Sequence, residues 1–190
     1  MIQALVEGWG GPALGEAYTA ERRPVAWRNG ASSTRNYAMW VDRSGRERVL
    51  EAGPEAEADR RKLGDKLVAG LKQEFHSLGI AMGYNYGESP IIIPDGSAAP
   101  FDDPSDYVQT ARPGHRAPHA WLSQDHSIID YFGKGFVLLR FGNNAPSTEA
   151  FEQAARRAGL PLDIVAVVDE GVQQLYERKL VLIRPDGMVP

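Results

Sequence analysis

The chain has 190 residues, of which 43% are hydrophobic, and this is enough to bury one substantial core. Its formal charge of −4 gives no electrostatic footprint for nucleic acid or for an anionic membrane. The absence of cysteine excludes disulfides, thiolate metal sites and thiol catalysis. Because no apolar run is long enough to span a bilayer and no secretory signal is evident, we expect a cytoplasmic protein.

The first 42 residues are predicted to be helical. Residues 1–7 continue a helical apolar pattern with no capping residue before them, so we expect a longer protein to precede them. Pro12 suits the first position of a second helix, and Pro24 is predicted to start a third. Glu21 is expected to form a weak ion pair with Arg22 or Arg23 on a solvated helix face.

Residues 43–111 are predicted to connect these helices to a second domain. Residues 42–61 are charged and interrupted by glycine and proline, and they provide the best domain boundary in the sequence. An amphipathic helix is predicted from Asp59 onward. Its apolar stripe comprises Leu63, Leu67, Val68, Leu71 and Phe75.

Two short strands are predicted near the end of this connector. The residues that alternate with small or polar neighbours are Ile80, Met82, Tyr84 and Tyr86. This period indicates a half-buried strand, and residues 91–93 are predicted to form another. Two interpretations of Tyr84 and Tyr86 remain open. They either line a substrate entrance or pack across strands with exposed hydroxyls.

Residues 112–141 form the central block of the sequence. Two prolines and a glycine define an approach loop, and short strands are predicted over residues 119–122 and 127–130. Residues 136–141 are almost continuously apolar, which is typical of a strand covered on both faces. Trp121 is expected to lie in the core.

The remaining residues predict an α/β domain. A helix starting near Pro146 and ending at Gly159, followed by a strand over residues 162–168, would complete a βαβ unit with the preceding strand. A short helix over residues 171–177 and a strand over 180–184 should follow. The hairpin signal after that strand predicts a returning strand, and the chain is expected to continue beyond it. This order is close to a thioredoxin-like layout without Cys-x-x-Cys, so thiol redox chemistry is excluded.

No independent catalytic centre is predicted. His115 and His119 lie four residues apart, but Pro118 between them prevents the helix that a shared metal site would need. Neither a Gly-x-Ser-x-Gly elbow nor a Gly-x-Gly-x-x-Gly phosphate turn occurs. Arg116 and His119 are expected to hydrogen-bond backbone carbonyls and lock the approach loop. The alternative is that they contact another domain or a second subunit.

Three motifs resemble the FAD-dependent aromatic-ring hydroxylases that act on phenols, phenylpropionates and aromatic polyketides. Residues 18–26 read Tyr-Thr-Ala-Glu-Arg-Arg-Pro-Val-Ala and are similar to the closing helices of the FAD domain. Residues 113–122 read Pro-Gly-His-Arg-Ala-Pro-His-Ala-Trp-Leu, and residues 132–140 read Phe-Gly-Lys-Gly-Phe-Val-Leu-Leu-Arg. These two stretches look like the start of the hydroxylases' C-terminal domain.

The resemblance implies that residues 1–42 close an FAD-binding domain, residues 43–111 connect, and residues 112–190 form a truncated thioredoxin-like domain. The chain would be the C-terminal, structural or oligomerisation part of a monooxygenase that uses FAD and NAD(P)H. FAD would be bound only in the complete enzyme, because the flavin motifs would lie upstream. The expected partners are the missing FAD and substrate domain or a second subunit, within a homo-oligomer. The alternative is a free-standing, non-enzymatic binding or dimerisation protein derived from such an enzyme.

The predicted contacts with substrate or another domain are made by Tyr84, Tyr86, Arg116 and His119. No catalytic residue, cofactor ligand or metal ligand is predicted within the chain.

Overall fold

A computed structural model describes residues 1–190, which divide into two compact units. The sheet unit comprises Met1–Arg23, Tyr84–Phe101 and Val108–Pro190, and the helical unit comprises Pro24–Gly83 and Asp102–Tyr107. None of the helices combines the length and apolar character needed to cross a membrane.

The N-terminal residues are helical, as predicted, but they form two helices rather than three. Helix α1 spans Ile2–Val6, and helix α2 spans Leu14–Val41. Pro24 lies inside α2, so the prediction that it starts a separate helix is wrong. Proline removes one backbone hydrogen bond, yet its fixed φ is helical, and the favourable residues on both sides allow the helix to continue.

The helical unit also contains α3, Pro54–Phe75, and α4, Leu78–Met82. Helix α3 begins at Pro54 rather than at Asp59, since proline is well suited to the first helical position. At Gly70 an added Cβ would lie 2.0 Å from the Met39 Cε, so α2 and α3 approach closely there. Of the predicted stripe on α3, Val68 and Phe75 are exposed, and the three leucines are half-buried.

The two strands predicted within residues 43–111 are absent. Residues 78–82 form α4, and Gly79 in this helix packs directly against the Asp103 carbonyl, where a Cβ would lie at 1.7 Å. Ile92 donates its backbone N–H to the Ser89 carbonyl at 3.1 Å and belongs to a turn. A short apolar run with period two therefore did not distinguish strand from helix or turn, because tertiary packing decided between them.

The central block begins with a small antiparallel ladder of β1, Trp121–Ser123, and β2, His126–Ser127. Both strands are shorter than predicted, and residues Ile128–Tyr131 form a 3₁₀ helix instead of extending the second strand. Ser127 and Asp130 form a capping box that favours this helix. Trp121 is 63% exposed, so the prediction that it lies in the core is wrong.

A three-stranded sheet has β3, Phe136–Phe141, at its centre. Strand β3 pairs in parallel with β4, Leu162–Val167, and antiparallel with β5, Leu180–Ile183. This order confirms the predicted strand–helix–strand unit and the burial of β3 on both faces. The buried core cluster of the sheet unit comprises Ala117, Ile128, Val137, Leu139, Phe141, Val167, Val172, Tyr176, Val181, Ile183 and Val189.

The helices beside this sheet are α5, Glu149–Ala158, and α6, Glu170–Tyr176. Helix α5 ends at Gly159, whose φ of 65° confirms the predicted left-handed cap. Ala155 is the buried residue of this helix, and Phe151 stays 40% exposed.

The C-terminal segment turns back as predicted but pairs with the end of β5 at one residue only, where Arg184 donates its backbone N–H to the Met188 carbonyl at 2.9 Å. After the turn at residues 185–187, Val189 donates its backbone N–H to the His115 carbonyl at 2.9 Å, and Ala117 donates to the Gly187 carbonyl at 2.9 Å. The segment thus pairs with the approach loop, and Met188 and Val189 become buried.

Candidate functional site

A buried ion pair in the sheet unit joins two segments that are distant in sequence. Glu21 on α2 accepts hydrogen bonds from Arg184 after β5, at 2.6 Å on Oε1 and 2.9 Å on Oε2. Ser89 Oγ donates a third hydrogen bond to Glu21 Oε1 at 2.8 Å. Only 5% of Glu21 is exposed, so the predicted weak surface pair is instead a buried, bidentate one.

The charges around this pair are balanced. Burial alone would raise the pKa of the Glu21 carboxyl, but hydrogen bonds from Arg184 and Ser89 and the charges of Arg184 and Arg22 hold that pKa below its ordinary value. Arg184 also donates to Asp186 Oδ2 at 2.8 Å. Glu21 is therefore an anchored anion, without the accessible proton that acid–base catalysis requires.

Tyr86 lies between two arginines beside this pair. The guanidinium carbons of Arg184 and Arg22 lie 5.6 Å and 5.9 Å from the centre of its ring. Its hydroxyl accepts a hydrogen bond from Arg22 Nη1 at 2.7 Å, and burial raises the pKa of Tyr86 to about 12. The Tyr84 ring lies 5.7 Å from that of Tyr86. Tyr86 is thus buried and hydrogen-bonded, contrary to the interpretation that gave it an exposed hydroxyl on a strand.

The approach loop is held by a different arginine from the one predicted. Arg112 Nε donates to the Ser97 carbonyl at 3.0 Å, and its Nη1 lies 3.3 Å from Nε2 of the buried His115. Neither Arg116 nor His119 donates a side-chain hydrogen bond to a carbonyl. The His119 ring instead meets the Trp121 ring edge-on at 5.2 Å.

Neither a cluster of metal-ligating side chains nor a glycine-rich phosphate turn is found. No group of three or more histidine or carboxylate side chains is placed to hold a metal ion. The parallel unit of β3, α5 and β4 is the place where a glycine-rich phosphate turn would be expected. Residues 142–148, however, read Gly-Asn-Asn-Ala-Pro-Ser-Thr, and a single glycine followed by a proline does not fit a dinucleotide cradle.

Sequence reasoning located Tyr86 and missed the residues that surround it. Glu21, Ser89 and Arg184 are separated by 68 and 163 residues along the chain, so local spacing could not connect them. One signal was available. Glu21 stands directly before Arg22 and Arg23 on a predicted helix. A glutamate that becomes buried requires a cationic partner.

Comparison with known proteins shows which protein family the C-terminal part of this chain resembles. Residues 110–190 match the family model described as aromatic-ring hydroxylase, C-terminal. These residues match the C-terminal domain of aromatic-ring hydroxylases, and the chain as a whole is similar to the C-terminal third of FAD-dependent monooxygenases.

Individual relatives agree with this assignment. The FAD-dependent monooxygenase apdD of Emericella nidulans is 33% identical over 99% of this chain and 32% of its own length. The 2,4-dichlorophenol 6-monooxygenase of Delftia acidovorans is 27% identical over 99% of this chain and 38% of its own length. A structure of RebC with bound 7-carboxy-K252c is 37% identical with a TM-score of 0.87, covering 98% of this chain and 35% of RebC. The chain therefore spans about a third of the length of the relatives it matches.

Proposed function

We propose that this chain is the C-terminal structural portion of an aromatic-ring monooxygenase that uses FAD and NAD(P)H. The observation that carries the proposal is the agreement with RebC over 98% of this chain at a TM-score of 0.87. Both the helical segments and the sheet are included in that agreement. In the complete enzyme the reaction would be hydroxylation of an aromatic ring, and the flavin would supply the oxygen chemistry.

We assign the sheet unit to a thioredoxin-like fold that has lost its redox function. Support comes from the central strand β3, its parallel neighbour β4, the intervening α5 and the antiparallel β5. Without cysteine the domain cannot perform thiol exchange, which leaves a structural role.

The proposed structural role depends on the ion pair between Glu21 and Arg184. It fixes the first half of α2 to the segment after β5, so the helix that closes the FAD domain in the resembled family would be held rigidly. Tyr86 belongs to this buried cluster, whereas Tyr84, Arg116 and His119 are less buried. Tyr84 and His119 are proposed to contact the substrate domain or a second subunit, whereas Arg116 lines a separate pocket of the sheet unit.

FAD and NAD(P)H are proposed to bind outside this chain. Residues 142–148 do not provide the backbone amides of a dinucleotide cradle, and no other glycine-rich turn follows a strand. The complete enzyme would therefore need a partner domain, covalently linked or supplied by another subunit.

A chimera tests this function directly. The C-terminal third of a flavin monooxygenase relative is replaced by this chain, and the flavin absorbance and NAD(P)H oxidation of the purified chimera are compared with those of the truncated relative. We expect the chimera to retain FAD and the truncated relative to lose it. The isolated chain serves as the control and should purify without flavin absorbance after incubation with FAD. A stoichiometric flavin band on the isolated chain would overturn the proposed location of the cofactor site.

Self-association is the second candidate function, and exposed aromatic residues of the helical unit favour it. Trp27 is 71% exposed and Tyr37 is 68% exposed, and both lie on α2. A free-standing binding or dimerisation protein would use these rings. Light scattering should then show a concentration-dependent dimer that Trp27→Ser weakens, and a strictly monomeric chain would exclude this candidate.

A further inference from the structure

A pocket in the sheet unit lies between the approach loop and the C-terminal turn. Its volume is about 220 Å³. Its apolar walls are formed by Ala117, Ile129, Phe132 and Pro185, and its charged residues are Arg116 and Asp186. Neither Glu21 nor Arg184 lines this pocket, and the proposed flavin chemistry does not involve the pocket.

The two charged side chains of this pocket differ in whether they have hydrogen-bond partners. Asp186 Oδ2 accepts from Arg184 at 2.8 Å, and Oδ1 accepts from the Met188 backbone N–H at 3.4 Å. Arg116 is fixed through its backbone, which pairs with Met188, whereas its guanidinium makes no hydrogen bond or ion pair. The carboxylate of the pocket therefore already accepts two hydrogen bonds, whereas the guanidinium is available to a ligand.

The combination of apolar walls and one available guanidinium defines the ligand class. A dry apolar cavity of about 150 Å³ is large enough to bind benzene, so about 220 Å³ accommodates one ring and a small substituent. A guanidinium pairs best with a carboxylate, which accepts two parallel hydrogen bonds. We propose that this pocket binds a single-ring aromatic carboxylate, with the ring against Phe132 and Ile129 and the carboxylate on Arg116.

This site is independent of the proposed hydroxylase function, so the isolated full chain is suitable for the test. Benzoate is titrated into ¹⁵N-labelled chain and followed by backbone amide NMR. We expect saturable shifts centred on Ala117, Gly133 and Gly187. Benzamide, which has the same ring without the charge, should bind about tenfold more weakly because it lacks the charge-assisted hydrogen bonds. Equal binding of the two probes, or shifts centred elsewhere, would overturn the proposal.

A variant identifies the residue that selects the carboxylate. Arg116→Gln should reduce the affinity for benzoate to that for benzamide. The matched control is Lys134→Gln, which removes an exposed charge near the pocket but outside its lining, and it should leave both affinities unchanged. Unchanged benzoate affinity in Arg116→Gln contradicts the assignment. If that variant does not fold, the comparison of benzoate with benzamide on the unaltered chain still decides the question.

Discussion

The sheet unit and the helical unit are stabilised in different ways. Strand β3 places Val137, Leu138 and Leu139 in a core from which water is excluded, and burial of such side chains contributes about 1.5–3 kcal/mol each. In the helical unit the fully buried side chains are small, and Lys66 pairs with Asp42 at the surface. Exposed pairs contribute roughly 0–1 kcal/mol each. Apolar burial therefore stabilises the sheet unit, whereas the helical unit has little comparable burial.

The largest expected effect is in the centre of the sheet. Leu138 is 0% exposed, and Leu138→Ala should lower the free energy of unfolding by about 2–5 kcal/mol because it leaves a cavity in a closely packed strand. Denaturant unfolding measures the change. Val68→Ala, at an exposed position in the helical unit, is the matched control and should change stability by less than about 0.5 kcal/mol. Similar losses in both variants would contradict the contrast between the units.

A smaller but still large effect is expected at the ion pair. Glu21→Gln leaves Arg184 partly unpaired, and the loss of one member of a buried pair costs about 3 kcal/mol, at the lower end of the usual range because Asp186 remains as a partner. Arg48→Gln removes two surface pairs in the helical unit, with Glu55 and Asp59, and should cost about 1 kcal/mol or less. If the two substitutions had equal effects in denaturant unfolding, the ion pair between Glu21 and Arg184 would not be buried in solution.

Lowering the pH should weaken the ion pair between Glu21 and Arg184. The pKa of Glu21 is lower in the folded chain than its unfolded value of about 4.3, so its contribution to stability is complete above that pH. The contribution is lost as the pH falls through the lower, folded pKa. Measured between neutral pH and acid, the free energy of unfolding should therefore fall more in the unaltered chain than in Glu21→Gln. Parallel pH profiles would show that another carboxylate dominates acid sensitivity.

The smallest expected effect concerns Tyr86 at alkaline pH. Burial raises the pKa of its hydroxyl to about 12, against about 10 in an unfolded chain. The folded state therefore holds this proton more tightly, and stability should decline as the pH rises from about 10 to about 12. Tyr86→Phe should remove that decline and, through loss of the hydrogen bond from Arg22, cost about 1 kcal/mol at neutral pH. Phenolate absorbance checks the titration, and an ordinary value for every tyrosine would contradict it.

Predictions from the sequence succeeded where local pattern and tertiary burial agree. Strand β3 and the cap of α5 at Gly159 were predicted because a continuous apolar run and a glycine carry strong local signals. The strand predicted through Tyr84 and Tyr86 is absent, because residues 78–82 are helical and the Tyr86 backbone N–H donates to the distant Gly114 carbonyl at 2.7 Å. Trp121 was placed in the core on hydrophobicity alone, which does not report which face of a two-stranded ladder is covered.

By itself the sequence indicated the likeness to aromatic-ring hydroxylases, the absence of thiol chemistry and the central strand of the sheet, since each depends on residue identity or on neighbours along the chain. Tertiary structure alone decided that Glu21 meets Arg184, that Met188 pairs with the approach loop and that the Arg116 guanidinium makes no hydrogen bond. These outcomes depend on segments up to 163 residues apart, whose meeting is governed by global packing. Local propensity contains no information about such contacts.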